Sequence, residues 1–202
     1  MNLVIVDTKS ANLNSVYQAC QRLDNVDVKI SSDINELKNA DKLILPGVGT
    51  ASYIMSGIYD NRLKDFLINN TKDLLGICLG MQVLTNYSNE VPLHTKLLKV
   101  DTLGIIDTHV DKIKAQGLTL PHMGWNTIKH NNHPLFKDIP QNSYFYFVHS
   151  YCVPPCPYAI AACNYGEPFS AALCKGNFMG VQFHPEKSGA LGQKLLENFI
   201  KL

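Results

Sequence analysis

Three residues of this chain have side chains that could together perform nucleophilic catalysis: Cys78, His184 and Glu186. A cysteine thiolate attacks a carbonyl carbon, a histidine takes up and returns the proton, and a carboxylate orients the imidazole ring. His184 and Glu186 flank Pro185, and we expect both to lie on one side of extended backbone. Their distance in sequence from Cys78 is no obstacle, because triads are assembled in space. A lone His-x-Glu pair is usually unrelated to catalysis, so the predicted triad depends on Cys78.

The surroundings of Cys78 favour a nucleophile. The segment Gly76-Ile-Cys-Leu-Gly80 lies in an apolar run, and glycines two residues on either side are typical of a sharp strand-to-helix turn, a nucleophile elbow. At the start of the following helix, unpaired N–H groups and the helix dipole stabilise a thiolate. A lone cysteine in an apolar run is otherwise most often a core residue. The glycine spacing therefore favours the catalytic interpretation.

A parallel α/β sheet is the element predicted to position this elbow. Short apolar runs at residues 3–6, 27–30 and 42–45 read as strands buried on both faces. Helical periodicity separates them at residues 13–20, and Ser32 or Asp33 could cap a short second helix. A further helix is predicted over residues 55–68. Alternating strands and helices indicate a parallel sheet.

The loop Pro46-Gly-Val-Gly49 follows the third predicted strand at its carboxyl end, where open α/β sheets place their sites. Its glycines would let a backbone N–H approach a ligand closely. Pro-Gly pairs also mark ordinary turns, so the loop alone indicates either role.

The second half of the chain is rich in β-prone residues. Residues 91–113 are predicted to hold short β-like runs, including 97–100 and 103–106, and to contain a hairpin. Residues 143–153 are predicted to form a core strand, and residues 158–164, 169–173 and 180–183 are predicted to form further strands. Alternation places Phe145, Phe147 and His149 on one face of the core strand and Tyr144, Tyr146 and Val148 on the other. His149 is then interpreted as a hydrogen-bonded strand histidine.

Composition indicates one soluble enzyme domain spanning residues 1–202, since 202 residues with 46% hydrophobic content suit one sizeable core. The net charge is +1 and basic runs are missing, which argues against nucleic-acid binding. The apolar runs are far shorter than the roughly 18 residues of a membrane span, and the N-terminus lacks the basic region of a signal peptide. We therefore expect a cytoplasmic protein with no membrane contact. Six cysteines without a disulfide framework are expected to stay reduced.

Two motifs, Gly76-Ile-Cys-Leu-Gly-Met-Gln82 and Phe183-His-Pro-Glu186, resemble the class I (triad) glutamine amidotransferases, which hydrolyse glutamine to glutamate and ammonia. The match extends nearly end to end. It is most similar to the glutaminase subunits of imidazole glycerol phosphate synthase, an enzyme of histidine biosynthesis. The segments of this narrower resemblance are Pro46-Gly-Val-Gly49, Pro121-His-Met-Gly-Trp-Asn126, Tyr146-Phe-Val-His-Ser-Tyr151 and Gln182-Phe-His-Pro-Glu-Lys-Ser188. Anthranilate and carbamoyl-phosphate enzymes share the elbow and the His-Pro-Glu motif but lack the His-Met-Gly-Trp-Asn box.

The resemblance implies an open, mostly parallel, flavodoxin-like sheet flanked by helices, with extra antiparallel strands. It implies that Cys78 forms a thioester with glutamine, that His184 moves the proton, and that Glu186 orients His184. The implied oxyanion hole consists of the Val48 and Leu79 N–H groups. The implied substrate-binding residues are Gly49, Gln82, Ser150 and Tyr151. No cofactor and no metal are implied.

The implied partner is a cyclase of the HisF type, a (β/α)₈ barrel that forms a heterodimer with the glutaminase and makes imidazole glycerol phosphate and AICAR. Asn12, Trp125 and Lys187 resemble the surface that faces this cyclase, although a solvated lysine and a half-buried aromatic would look the same. The loop Asp7-Thr-Lys-Ser-Ala-Asn12 departs from the family's glycine-rich Asp-Tyr-Gly-x-Gly-Asn pattern. The departure leaves the triad intact and bears on coupling between the subunits.

Four alternatives stay open at this point. The chain could be the glutaminase subunit of another amidotransferase, such as anthranilate synthase. A cysteine peptidase or hydrolase of a related elbow fold shares the Cys-His dyad. A zinc site of His149, Cys152 and Cys156 is conceivable, but prolines crowd that loop and no second ligand pair follows. A silent regulatory subunit is the alternative without enzymatic activity, against which the complete triad argues.

Overall fold

Strands and helices alternate in the first half of the chain, and strands dominate the second half. The computed structural model describes residues 1–9, 13–60 and 62–202. The strands are β1 (Asn2–Val6), β2 (Asp27–Ser31), β3 (Lys42–Gly47), β4 (Leu74–Cys78), β5 (Tyr87–Ser88), β6 (Val100–Asp101), β7 (His109–Lys112), β8 (His122–His130), β9 (Ser143–His149), β10 (Tyr151–Cys152), β11 (Ala159–Tyr165), β12 (Glu167–Lys175) and β13 (Phe178–Val181). The helices are α1 (Leu13–Cys20), α2 (Ile34–Asn39), α3 (Ala51–Asp60), α4 (Leu63–Ile68), α5 (Leu79–Gln82) and α6 (Gly189–Lys201).

The larger sheet has nine strands in the order β2-β1-β3-β4-β13-β12-β11-β8-β9. Its first five strands are parallel to one another. The remaining four continue the sheet in antiparallel pairs. A smaller sheet has the order β10-β7-β5-β6. The fold is therefore the predicted α/β class, with a parallel half extended by antiparallel strands.

Helices cover both faces of the parallel half, which explains the apolar sequence of its strands. Within β1, Leu3 and Ile5 pack into one hydrophobic cluster with residues of α1 and α6. Val4 and Val6 point the other way and pack with residues of α2, α3 and α4. Successive side chains of a strand alternate between faces, so a strand buried on both sides must be apolar throughout.

Register in the parallel half brings three segments to one edge of the sheet. In β13, Gly180 and Val181 lie opposite Gly76 and Ile77 of β4. On the other side of β4, Gly47 of β3 lies opposite Cys78. The carboxyl ends of three neighbouring strands therefore bring the Pro46–Gly49 loop, Cys78 and the His184 segment to the same place.

The single helix predicted over residues 55–68 is wrong, because the structure has two helices there. The first, α3, begins earlier than predicted, at Ala51, and ends at Asp60, while α4 begins at Leu63. Arg62 lies between them with a φ of 55°, in the left-handed region that interrupts a right-handed helix.

The hairpin predicted within residues 91–113 is also wrong, because the two strands of that stretch, β6 and β7, each pair with β5 and not with each other. Residues 103–106 donate their backbone N–H groups to the carbonyls of residues 83–85, which follow α5 directly. Leu103 bonds the carbonyl of Val83, and Ile105 and Ile106 share that of Leu84. Unpaired carbonyls after a helix need donors, and this segment supplies them. The actual partner of β6 is β5, at Tyr87 and Ser88.

Among the described residues, no helix combines the length and apolar character that crossing a membrane requires.

Candidate active site

Cys78 ends strand β4 and directly precedes α5, in a backbone conformation that few residues adopt. Its φ is 54° and its ψ is −111°. A non-glycine residue at positive φ is uncommon and marks either a turn or strain at a functional position. The sharp turn predicted around Cys78 is therefore present, and the side chain remains slightly accessible, at 7% exposure.

The two glycines of the elbow are required by close backbone contacts. A Cβ added at Gly80 would lie 1.7 Å from the carbonyl oxygen of Leu45, and one added at Gly76 would lie 2.6 Å from that of Gly80. Real Cβ atoms do not approach main chain this closely, so any side chain would push α5 away from the sheet. The spacing noticed in the sequence thus has a direct packing cause.

His184 and Glu186 form a buried hydrogen-bonded pair beside the elbow. His184 Nδ1 lies 2.7 Å from Glu186 Oε1. The extended backbone predicted between them is wrong, because residues Pro185–Lys187 form a 3₁₀ turn. The turn is held to β9, where Tyr146 O accepts from the N–H of His184 at 2.9 Å. Ser188 Oγ ties the turn further by donating to the carbonyl of His184 at 2.6 Å.

The pKa of His184 is strongly perturbed. Burial alone lowers it, but the neighbouring Cys78 sulfur and the Glu186 carboxylate favour the charged imidazolium and raise the pKa to about 10. His184 Nε2 is buried, and no described residue forms a hydrogen bond with it within the usual limits of distance and angle. Catalytic hydrogen bonds are often long in the absence of substrate and shorten when substrate binds. Nε2 is therefore the ring atom available for proton transfer.

A pocket of about 200 Å³ opens over Cys78. It brings together most of the residues that the sequence resemblance marked for catalysis and substrate binding. Its lining residues are Val48, Gly49, Cys78, Leu79, Gln82, Glu90, Val148, His149, Ser150, Tyr151 and His184. The site is thus built from segments that are far apart in sequence.

The segments predicted to supply the oxyanion hole lie on either side of Cys78. Leu79 is the first residue of α5, and Val48 lies in the loop that follows β3. Gly49 has a φ of 94°, and a Cβ added there would meet nothing within 4 Å. The conformation of this loop, and not crowding, is what favours glycine at that position.

Gln82 points into the protein beneath the pocket. Its Nε2 donates to the carbonyl oxygen of Tyr151 at 2.9 Å and to Gln182 Oε1 at 2.9 Å. Gln182 is fully buried. The amide of Gln82 therefore connects the elbow helix to the start of β10, at Tyr151.

Glu90 lines the pocket but was missed in the sequence. Its Oε2 accepts the N–H of Ala51, the first residue of α3, at 3.2 Å. Burial raises the pKa of its carboxyl group, and the Ala51 N–H opposes that rise. Glu90 belongs to a stretch with no periodic pattern. The only signal in the sequence that could have identified it is that an isolated acidic residue follows the elbow helix.

His149 is the hydrogen-bonded strand histidine that the sequence predicted, although it also borders the pocket. Its Nδ1 lies 2.8 Å from the carbonyl oxygen of Tyr151, and its Nε2 lies 3.0 Å from His122 Nδ1. Burial, the dominant cause, lowers the pKa of His149 to about 3 and that of His122 to about 4. Both rings are therefore neutral at physiological pH. With both nitrogens engaged, His149 has no free lone pair for the zinc site considered above.

Two of the three residues expected to face a partner lie together on the surface. The Trp125 side chain is 55% exposed and packs edge-on against the Tyr146 ring, with the ring centroids 6.1 Å apart. Lys187 Nζ lies 5.8 Å from the centroid of the same ring. Asn12, the third, lies outside the described residues. Trp125, Tyr146 and Lys187 form what we call the aromatic patch.

Comparison with known proteins identifies relatives over the whole length of the chain. The family described as "Glutamine amidotransferase class-I" matches residues 4–202. A protein of Escherichia coli (strain K12), named imidazole glycerol phosphate synthase subunit HisH, is 51% identical over 203 residues, which cover 100% of both chains. The protein of the same name from Shewanella loihica is 48% identical over 202 residues, covering 98% of this chain and 90% of that protein.

Solved structures share the fold at lower identity. A putative GMP synthase protein from Thermoplasma acidophilum superposes with a TM-score of 0.74 at 19% identity, covering 100% of this chain and 92% of that one. PurLQS from Thermotoga maritima gives a TM-score of 0.70 at 15% identity, with 99% and 97% coverage. At these identities the structures support the fold alone.

Proposed function

The chain belongs to the class-I glutamine amidotransferases, and from this premise we propose that it is the glutaminase subunit of an imidazole glycerol phosphate synthase in histidine biosynthesis. It hydrolyses glutamine to glutamate and ammonia, and the ammonia passes to a cyclase that makes imidazole glycerol phosphate and AICAR. The observation that supports this most directly is that His184, hydrogen-bonded to Glu186, lines the same pocket as Cys78, beyond the carboxyl ends of adjacent parallel strands.

In the proposed mechanism, the Cys78 sulfur attacks the side-chain amide carbon of glutamine. The N–H groups of Leu79 and Val48 stabilise the negative oxygen of the tetrahedral intermediate. His184 donates its proton from Nε2 to the amide nitrogen, the carbon–nitrogen bond breaks, and ammonia leaves a thioester on Cys78. Water then attacks the thioester while His184 takes its proton, and glutamate is released.

The charge state of His184 suits this order of reaction steps. A pKa raised to about 10 keeps the imidazole protonated at neutral pH, so the acid needed by the leaving amine is present before the attack. Glu186 fixes the ring through Nδ1, which leaves Nε2 to face the reaction. The roles of acid and later base therefore belong to one nitrogen.

Substrate binding is assigned to the rest of the pocket. Glu90 provides a carboxylate for the α-ammonium group of glutamine. Ser150 and Tyr151 provide main-chain contacts for its amino-acid end, Gln82 supports them, and Gly49 lets the loop approach. A carboxylate beside the Cys78 pocket favours an amino-acid substrate over an ordinary peptide bond, whose nitrogen has no charge.

The aromatic patch is proposed as the surface that meets the (β/α)₈ cyclase in a cytoplasmic heterodimer. Exposed aromatic residues are enriched in protein interfaces. The patch also touches the triad, because Tyr146 O accepts the backbone N–H of His184. We expect slow glutamine hydrolysis by the isolated chain and at least about a tenfold increase, roughly 1.4 kcal/mol, with the cyclase and its nucleotide bound.

Glutamine-dependent product formation tests the assignment. The chain is mixed with a HisF-type cyclase and its nucleotide substrate, or with the chorismate-binding subunit of anthranilate synthase and chorismate. We expect AICAR from the first mixture and no anthranilate from the second. Formation of anthranilate alone would establish the alternative amidotransferase. Absence of both products, with both partners active on ammonium salts, would contradict both assignments.

A further inference from the structure

A chain of buried amide hydrogen bonds leads from the Tyr151 carbonyl to the Cys78 sulfur. Gln82 Nε2 donates to Tyr151 O at 2.9 Å and to Gln182 Oε1 at 2.9 Å. Gln182 Nε2 in turn lies 3.7 Å from Cys78 Sγ, within hydrogen-bonding range for sulfur. Gln182 is fully buried and lies behind the pocket wall, so its amide is held by protein groups.

The direction of this chain follows from the carbonyl at its far end. A carbonyl oxygen only accepts, so the Gln82 atom that faces Tyr151 O must be the NH₂ group. The same NH₂ group faces Gln182, which must therefore present its oxygen to Gln82. The remaining NH₂ group of Gln182 is then directed at Cys78 Sγ. The orientation of both amides is thus fixed by a backbone atom.

A second set of hydrogen bonds holds the same carbonyl in place. His149 Nδ1 donates to Tyr151 O at 2.8 Å, which makes His149 Nε2 the acceptor for His122 Nδ1–H at 3.0 Å. His122 Nε2 accepts from Asn126 Nδ2 at 3.2 Å. Tyr151 O therefore receives two donors, one from Gln82 and one from His149, which restricts its movement.

We propose that Gln182 is a further catalytic residue, whose Nε2–H donates to the Cys78 sulfur and stabilises it as the thiolate nucleophile. A hydrogen bond to a charged acceptor is stronger than one to a neutral acceptor, so this donor favours the thiolate over the thiol. The thiol has a competing acceptor in Val148 O, 4.0 Å from Sγ. Gln82 acts as a positioning residue that orients Gln182. This inference rests on the proposed function only for the identity of the nucleophile.

The test measures the reactivity of Cys78 separately from turnover. In the complex with the cyclase, the rate of Cys78 alkylation by iodoacetamide at pH 7 is followed by peptide mass analysis. Burial raises the pKa of Cys20, Cys152 and Cys163 to about 12, so these thiols contribute little signal. Gln182→Met keeps the side-chain length without a donor, and Gln182→Asn keeps an amide that is too short to reach Sγ. Gln193→Met is the matched control, because the Gln193 amide on α6 is also buried but forms no hydrogen bond with a described residue.

We expect both Gln182 variants to alkylate about tenfold more slowly and to lose kcat by about tenfold or more, with a smaller change in KM, since a lost hydrogen bond to a charged group has about this effect. The Gln193 variant should match the wild type. Unchanged alkylation in either folded Gln182 variant would overturn the inference. Unreactive Cys78 in the wild type would contradict the proposed function instead, so the two failures are distinguishable.

Discussion

His184 Nδ1 and Glu186 Oε1 are 2.7 Å apart, although only Pro185 separates the two residues in the sequence. Both side chains are buried, each with 4% exposure. A 3₁₀ turn over Pro185–Lys187 makes this approach possible by bringing Glu186 back toward the ring. A buried carboxylate against one ring nitrogen fixes the tautomer and stabilises the imidazolium. The pair therefore has the geometry of an orienting acid and a catalytic histidine.

Replacing Glu186 by glutamine should keep the fold and reduce glutaminase kcat by roughly 10²- to 10⁴-fold, since the amide neither stabilises the imidazolium nor enforces the tautomer. Steady-state glutamate release in the cyclase complex gives the comparison. Glu36→Gln, at an exposed position on α2, removes the same charge and should retain wild-type activity. Equal rates in the two variants would exclude the orienting role of Glu186.

The raised pKa of His184 predicts a stability change on the alkaline side. An unfolded histidine titrates near pH 6.5, so the protonated side chain contributes stability that is complete below about pH 6.5 and is lost as pH rises toward about 10. Cys78→Ala removes one cause of the raised pKa, so the His184 pKa should fall, and the loss, which begins near pH 6.5 in both proteins, should be smaller and end at a lower pH. NMR titration of His184 and denaturant unfolding between pH 6 and 10 measure both effects. An unaltered titration in Cys78→Ala would show that the sulfur does not act on His184.

Close packing at the elbow predicts a large cost for the smallest substitution there. Gly80→Ala would place a Cβ 1.7 Å from Leu45 O, and we expect a loss of about 3 kcal/mol or more in the free energy of unfolding together with lost activity. Gly176→Ala, in open space at a φ of 60°, should cost only about 1 to 2 kcal/mol and leave activity intact. Similar unfolding free energies for both variants would contradict the packing explanation.

The loop before α3 is the candidate switch for partner activation. Gly49→Val disfavours the native φ of 94°, whereas a Cβ at Gly49 meets nothing within 4 Å. We expect the cyclase-stimulated rate to fall at least about tenfold while partner affinity stays within a factor of about three. Gly117→Val is the control, since Gly117 has a φ of 92° and equally open surroundings away from the site. Equal losses of affinity and rate in Gly49→Val would place Gly49 in the docking surface.

The parallel half of the fold and the elbow could be predicted from the sequence because their determinants are local. Continuous apolar runs reflect burial on two faces, and the spacing of Gly76 and Gly80 reflects close backbone contacts on either side of the turn at Cys78. The meeting of His184 and Glu186 beside Cys78 could be predicted because their motif is short and chemically distinctive.

Features that depend on tertiary contacts could not be predicted. Residues 103–106 look like a strand, but their N–H groups bond the carbonyls that follow α5, which only the folded structure places nearby. Glu90 enters the pocket from an irregular segment, and the role of Gln182 becomes visible only when Tyr151 O fixes the orientation of two amides. Sequence periodicity carries no information about such contacts.

Cys78→Ala tests the central claim most directly. In the complex with the cyclase and its nucleotide, glutamate release from glutamine should fall by several powers of ten. The same complex should still make AICAR when ammonium salts replace glutamine, which confirms that the partner and its interface are intact. Ammonia release from glutamine at near the wild-type rate by the folded variant would contradict Cys78 as the nucleophile.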